Sequence, residues 1–556
     1  MASVKSSLIT LLFSLLCPMG SIAASEEVPS SAPQDSRVLI LDFGSQYSHL
    51  IARRVRELGM YSFVMPADVS LKRLKEFQPK AIIFSGGPFS VYDKDSPALE
   101  KEVYHYLIEK KVPILGICYG MQYLSKQLGG TVQAADNREY GRAHINIEKE
   151  SALFSFMEEP KPFQVWMSHG DEVITLPQGF TKAATSDNNV LVALENPEKN
   201  IYLIQFHPEV THTEMGIQLL NHFLSKIAGV KSGWNMDDYA KQQIMRIKDL
   251  VGPTEHVICA LSGGVDSCVA ATLVHRALGD RLHCVFVDNG LMRYKERERV
   301  MAMFKEELSL PVIAIDASER FLDALQNVAD PETKRKIIGK TFIDVFSDYA
   351  HDLAQKLKNK PRYLVQGTLY PDVIESSSSS RFSAVIKSHH NVGGLPEKMD
   401  FSLIEPLREL YKDEVRQLGK GLCIPNSFLS RHPFPGPGLA IRIIGEVSRE
   451  KVAALQLADE IYIQALKDHN LYDTIWQAGA IYLPVHTVGV QGDARTYSHV
   501  LALRAVVSKD GMTADWYSFD PAFLAQVSND IINTVASINR VVYDISSKPP
   551  ATIEWE

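Results

Sequence analysis

From Arg37 onward, short apolar runs rich in β-branched residues alternate with stretches whose apolar side chains recur at helical spacing. VLILDFG (38–44), AIIFSGG (81–87) and VPILGIC (112–118) are apolar at nearly every position, which predicts strands buried on both faces. Between them, HLIARRVRELG (49–59) and SPALEKEVYHYLIEKK (96–111) carry helical periodicity. A second alternation follows, with HVICALSGG (256–264) as strand and glycine turn, CVAATLVHRAL (268–278) as helix and HCVFVDNG (283–290) as the next strand. After the breaker-rich RHPFPGPGLAIR (431–442), the pattern predicts helices over 449–468 and 521–536, with strands near 481–490, 500–507 and 540–546. The expected fold class is therefore α/β, with parallel-sheet domains followed by a smaller α+β domain.

A chain of 556 residues predicts three or four domains. The segment AGVKSGWN (228–235) and the string beginning at Arg431 mark boundaries, giving 37–230, 231–431 and 432–556. The first 36 residues stand apart. Lys5, the apolar run LITLLFSLLCPMG and SIAAS read either as a secretory signal or as an appended start, and SEEVPSSAPQDS (25–36) reads as disordered linker. That apolar run is too short for a stable membrane span. Six cysteines lack zinc-site or disulfide-scaffold spacing, so reduced thiols in the cytoplasm are the simplest expectation, which the signal-like extension opposes. The net charge of −8 argues against a partner that is nucleic acid, while leaving room for local basic clusters that hold small phosphates.

GICYGMQ (116–122) sets Cys118 between glycines, after an apolar strand and before a helix. Small neighbours permit a tight turn, and a thiol at a helix N-terminus is biased toward thiolate. In IYLIQFHPE (201–209), His207 and Glu209 are two apart at a strand end and can share a face, His207 as general base and Glu209 orienting its ring. SGGP (85–88) offers an oxyanion donor near Gly87, joined by the N–H of Tyr119. These residues resemble the class I (triad) glutamine amidotransferase family, which implies a glutamine thioester on Cys118 and release of ammonia.

LSGGVDS (261–267) lies between a strand and a helix, where free N–H groups favour an anion. It lacks the closing Gly-Lys-Ser/Thr of a Walker loop and resembles the PP-loop of ATP pyrophosphatases. That resemblance implies ATP bound by Ser262, Gly263, Gly264, Val265, Asp266 and Ser267, and adenylation of an acceptor. Downstream, DPETKRKIIGKTF (330–342) is a basic cluster whose plain reading is a solvated helix face. In QGTLYPDVIES (366–376), Asp372 and Glu375 offer oxygen donors suited to Mg²⁺ beside phosphates, together with Asp266. Lys387, His389, His390 and Asn391 in KSHHNVGGLP (387–396) suit charge stabilisation better than a shared metal, since adjacent strand residues point oppositely.

With TVGVQGDARTY (487–497) and SKPPATIEWE (547–556) added, the chain over 37–556 resembles the GMP synthetase family. The resemblance implies ATP, xanthosine monophosphate (XMP) and glutamine as substrates, Mg²⁺ as metal, and a homodimer through the last domain with Arg540 near its interface. It places XMP against Arg335, Gln477, Asp493, Lys548 and Glu554, a lid at Lys412 and Asp413, and ATP also against Val287 and Gly367. A PP-loop enzyme acting on another acceptor is the rival reading, and it would lack the KPPATIEWE tail. That tail reads as held rather than frayed, because Ile553 and Trp555 are residues of the buried type.

Overall fold

The computed structural model describes residues 32–159, 161–357, 361–377, 401–491, 493–508 and 513–556, with side chains left out at 136–137, 374–377 and 491. The chain divides into two compact units that meet at Trp234 and Asn235.

In the first unit the strands are β1 (Arg37–Asp42), β2 (Tyr61–Pro66), β3 (Ala81–Phe84), β4 (Ile114–Ile117), β5 (Thr131–Ile147), β6 (Phe163–Thr175), β7 (Thr181–Ser186), β8 (Leu191–Asn196) and β9 (Ile201–Ile204). They form one sheet in the order β2-β1-β3-β4-β9-β8-β7-β5-β6. The half from β2 to β9 is parallel, with Ile114 opposite Ile201 and Ile117 opposite Ile204 across β4 and β9. Val38, Leu39, Ile40 and Leu41 of β1 are fully buried, as a sheet covered on both faces demands. The remaining strands are antiparallel additions. β5 went unread from the sequence because a half-exposed strand such as TVQAADNREYGRAHINI carries no continuous apolar run. The helix expected from residue 96 begins at Lys101. Ahead of it, the Pro97 carbonyl accepts from the Tyr119 hydroxyl at 2.8 Å and the Leu99 N–H donates to the Tyr123 hydroxyl at 3.1 Å, so these backbone groups serve tertiary bonds instead of a helical turn.

In the second unit, β10 (Val257–Leu261), β11 (Leu282–Asp288), β12 (Val312–Asp316), β13 (Tyr363–Val365) and β14 (Ser402–Ile404) form a parallel sheet in the order β12-β11-β10-β13-β14. Strand order reverses between β10 and β13, and the crevice at such a switch point is where open α/β sheets bind ligands. A second sheet holds β15 (Gln477–Gln491), β16 (Ala494–Val507), β17 (Asp515–Trp516) and β18 (Ile538–Tyr543). One hydrophobic cluster joins the sheets, with Ile258, Val285, Leu455, Ala480, Leu503 and Phe523 among its members. Among the described residues, no helix is long and apolar enough to cross a membrane.

Candidate active sites

Cys118 follows β4 and His207 follows β9, so two adjacent parallel strands deliver the thiol and the imidazole to the same sheet edge. Cys118 has φ 51° and ψ −107°, a left-handed turn that a non-glycine residue holds only when its surroundings enforce it. Enforcement comes from close backbone packing. A Cβ on Gly116 would sit 2.9 Å from the Gly120 carbonyl oxygen, and one on Gly120 would sit 2.7 Å from that of Phe84. Gly86 lies against both partners, its notional Cβ 3.2 Å from His207 Cε1 and 3.6 Å from Cys118 Cβ.

His207 is fixed on every side. Its N–H donates to Trp166 O at 3.0 Å, its carbonyl accepts from Thr213 Oγ1 at 2.6 Å, and Nδ1 meets Glu209 Oε1 at 2.7 Å. Both side chains are buried, Glu209 completely. Burial opposes charge on the ring, but the Glu209 carboxylate and the contact with Cys118 outweigh it and raise the His207 pKa well above 6.5. Gly87, one of the two expected oxyanion donors, packs against the ring of the other, a Cβ there lying 3.4 Å from Tyr119 Cγ. A neighbouring residue went unread: the Cys118 thiol donates to the Ser168 carbonyl at 3.6 Å, from β6, whose alternating Phe163, Val165 and Met167 were the signal that could have found it.

The glycine turn after β10 sits at the switch point. Gly263 has φ +76° and Gly264 caps the helix Val265–Leu278. Ser267 Oγ accepts from the Ser262 N–H at 3.3 Å and donates to Gly264 O at 3.1 Å, closing the turn on itself. Gly367 follows β13 and presses on the same helix start, its notional Cβ 3.3 Å from Ser267 N. Lys412, the first residue of the helix Lys412–Gly421, reaches across to Asp266 with 2.6 Å to each carboxylate oxygen. Asp413 is the next residue of that helix. Asp372 accepts from the Leu369 N–H at 3.0 Å. Val287 is buried near the end of the neighbouring β11. Arg431 was also missed; it donates to Gly263 O at 3.4 Å and pairs with Glu296, from within the breaker-rich string 431–442. Lys387, His389, His390 and Asn391 lie outside the described residues, as does the side chain of Glu375.

Three of the residues expected at the nucleotide gather around the segment 552–556. Gln477, at the start of β15, donates to Glu554 Oε1 at 2.5 Å, and Arg335 donates to the main-chain oxygen of Glu556 at 2.6 Å. Burial opposes ionisation of Glu554, but Arg442, then Arg293 and Gln477, hold its pKa below the usual carboxylate value. Lys548 pairs its backbone with Ala514 in both directions. Asp493 is not brought there: it is exposed at the hairpin turn, the opposite end of β15 from Gln477. Two expectations need correcting. Trp555 is 40% exposed, so this segment is held by polar clamps and not by burying its indole. Within the basic cluster 330–342, Lys334 is fully buried, because it faces the second unit's core and a carboxylate instead of water.

A thiol, an imidazole and a carboxylate gathered at the parallel half of one sheet, with a glycine turn at the switch point of another, define a triad glutamine amidotransferase joined to an ATP pyrophosphatase-type unit. Models of known families match accordingly: Glutamine amidotransferase class-I over residues 39–227, NAD synthase over 241–344 and GMP synthase C terminal domain over 464–555. Proteins described as GMP synthase [glutamine-hydrolyzing] are 54% identical, that of Agrobacterium fabrum over 93% of this chain and 98% of its own length. That of Brachyspira hyodysenteriae covers 94% and 99%, and that of Thermosipho melanesiensis 93% and 99%. The chain belongs to the glutamine-hydrolysing GMP synthase family.

Proposed function

We propose that Cys118, His207 and Glu209 hydrolyse glutamine and that the glycine turn at 262–267 serves adenylation of XMP. The reading is carried by the Cys118 turn beside a buried His207–Glu209 pair, in one chain with a glycine turn at the switch point of a second parallel sheet. The net reaction is ATP + XMP + glutamine + water to AMP + pyrophosphate + GMP + glutamate. Cys118 sulfur attacks the carboxamide carbon while His207 takes the thiol proton and returns it to the departing ammonia. Water then cleaves the thioester to glutamate. Gly87 and Tyr119 N–H groups receive the developing oxyanion. In the second unit, the XMP C2 oxygen attacks the α-phosphorus, pyrophosphate leaves, and ammonia displaces AMP.

Asp266 and Asp372 are hard oxygen donors, and Mg²⁺ needs only one or two carboxylates when phosphates supply the rest, so this donor set fits that ion. Mg²⁺ held there would neutralise phosphate charge, and Lys412, paired with Asp266, stands beside the same carboxylate. The helix beginning at Lys412 and Asp413 acts as a lid, and Arg335, Gln477, Lys548 and Glu554 hold XMP. Cys118→Ala tests the assignment: glutamine-dependent GMP formation is lost while ammonium salts still support it, and full glutamine activity would refute the nucleophile.

We also infer a homodimer through β15 and β16, supported by an exposed apolar stripe of Val485, Val488, Val490 and Tyr497. Val490→Glu should halve the mass seen by analytical ultracentrifugation; an unchanged mass excludes this face. The compartment we propose is the cytoplasm, supported by free thiols at Cys118, Cys259, Cys268, Cys284 and Cys423.

A further inference from the structure

The segment 552–556 is gripped by four cations from three separate elements. From β16, Arg504 donates to the carbonyls of Ile553 at 2.9 Å and Thr552 at 2.8 Å. Arg442, in the turn Gly438–Arg442, forks onto Glu554, Nε to Oε2 at 2.9 Å and Nη2 to Oε1 at 2.7 Å. Two neighbours on the helix Pro331–Lys356 hold Glu556: Lys334 meets its Oε2 at 2.5 Å and Arg335 meets its main-chain oxygen. The Gly445 N–H adds a bond to Glu556 Oε1 at 3.2 Å.

Two of these cations have no exposure that a solvent-facing ligand-binding residue would need. Arg442 is 2% exposed and Lys334 is fully buried. The Arg442 guanidinium lies over the Phe434 ring at 5.4 Å, with Nη1 3.7 Å from Asp459 Oδ1. It so fills its slot that a Cβ on Gly479 would come within 2.2 Å of Nη1. Asp459 in turn accepts from the Ala480 N–H at 3.1 Å and pairs with Arg293 at 3.2 Å. Lys334 spends its other protons on the carbonyls of Ala440 at 3.2 Å and Ile443 at 2.7 Å, which flank Arg442. Both cations therefore staple the turn 438–442 to the segment 552–556. A single planar fork fixes both oxygens of a carboxylate at once, so the orientation of Glu554 is set by Arg442 and not by its own backbone.

We propose that Arg442 and Lys334 are positioning residues for the nucleotide site, holding 552–556 so that Glu554, Gln477 and Arg335 present one fixed surface to a purine nucleoside monophosphate. This rests on the reading that Glu554 and Gln477 meet XMP. Three of the residues expected at XMP are linked through this segment: Glu554 lies in it, Gln477 is tied to Glu554 and Arg335 to Glu556. Loosening the segment therefore disturbs all three together.

The test is steady-state kinetics of the full chain with ammonium chloride as nitrogen donor, which removes the thiol site from the measurement. Arg442→Lys keeps the charge and loses the fork. It should raise the KM for XMP at least about tenfold while the KM for ATP moves less than about twofold, a split that general destabilisation does not produce. Glu554→Gln should raise the same KM, and the double variant should be no worse than the poorer single one, because both changes break one contact. If Glu554→Gln leaves the KM for XMP unchanged, the nucleotide reading itself fails. If Glu554→Gln raises it and Arg442→Lys does not, or if the two effects multiply, the positioning inference is overturned. Should Arg442→Lys fail to fold, Glu556→Gln decides: a rise of about threefold or more in the KM for XMP supports the clamp, and a wild-type KM overturns it.

Discussion

In residues 32–234, Cys118 and His207 follow strands that are neighbours in the sheet, and glycine-limited backbone contacts hold the thiol's turn. In residues 235–556, the cluster around 552–556 that we propose holds XMP is drawn from positions as far apart as Lys334 and Glu556, 222 residues along the chain, and charged side chains hold it. One site depends on what cannot fit; the other depends on ionic and hydrogen-bonded partners that must arrive together. Steric enforcement tolerates little change of shape but is indifferent to distant segments. Charge clamping tolerates shape change and is exposed to the loss of any one partner, because the remaining buried ion is left uncompensated.

The largest effect that would sharpen this contrast comes from Glu209→Gln. It keeps the shape and removes the charge that raises the His207 pKa, so glutamine turnover should fall about a hundredfold or more while ammonium-dependent synthesis is unchanged. A small loss would mean that packing alone orients the imidazole. Next is Gly367→Val, which forces atoms against the first turn of the helix Val265–Leu278. The KM for ATP should rise roughly tenfold or more. Unaltered ATP kinetics would show that the second unit is not sterically enforced at its phosphate turn.

The smallest effect concerns His432, stacked on Tyr472 at 3.8 Å and lowered to about 4 by burial and by the charges of Arg293 and Arg442. A base depressed on folding binds its proton more readily when unfolded. Its neutral form therefore supports stability above about pH 6.5, and that support is lost as pH falls toward 4, amounting to at most about 3 kcal/mol. Denaturant melts of the second unit's transition should weaken across that window, and His432→Phe should flatten the slope. An unchanged slope would remove His432 from the acid response.

Much of this was legible along the chain because local chemistry is contiguous. The elbow GICYG, the pair at His207 and Glu209 and the turn LSGGVDS each place their groups within a few residues, so periodicity and turn chemistry reveal them. Strands β5 and β7 escaped because their alternation is broken by polar and half-buried positions. Arg442 and Lys334 escaped for a different reason. Lys334 reads as part of a solvated helix face and Arg442 as part of a breaker-rich turn, and nothing nearby names the carboxylate each one meets.

By itself, then, the sequence pointed to α/β domains, to Cys118 with His207 and Glu209 as a candidate triad, and to the glycine turn at 262–267, since each rests on short-range spacing. Only the tertiary structure decided which cations are buried, that Asp493 lies at the far end of its hairpin from Gln477, and that 552–556 is held by charge despite an exposed Trp555. Ion pairing is set by distance in space. Distances between residues hundreds of positions apart have no trace in local pattern.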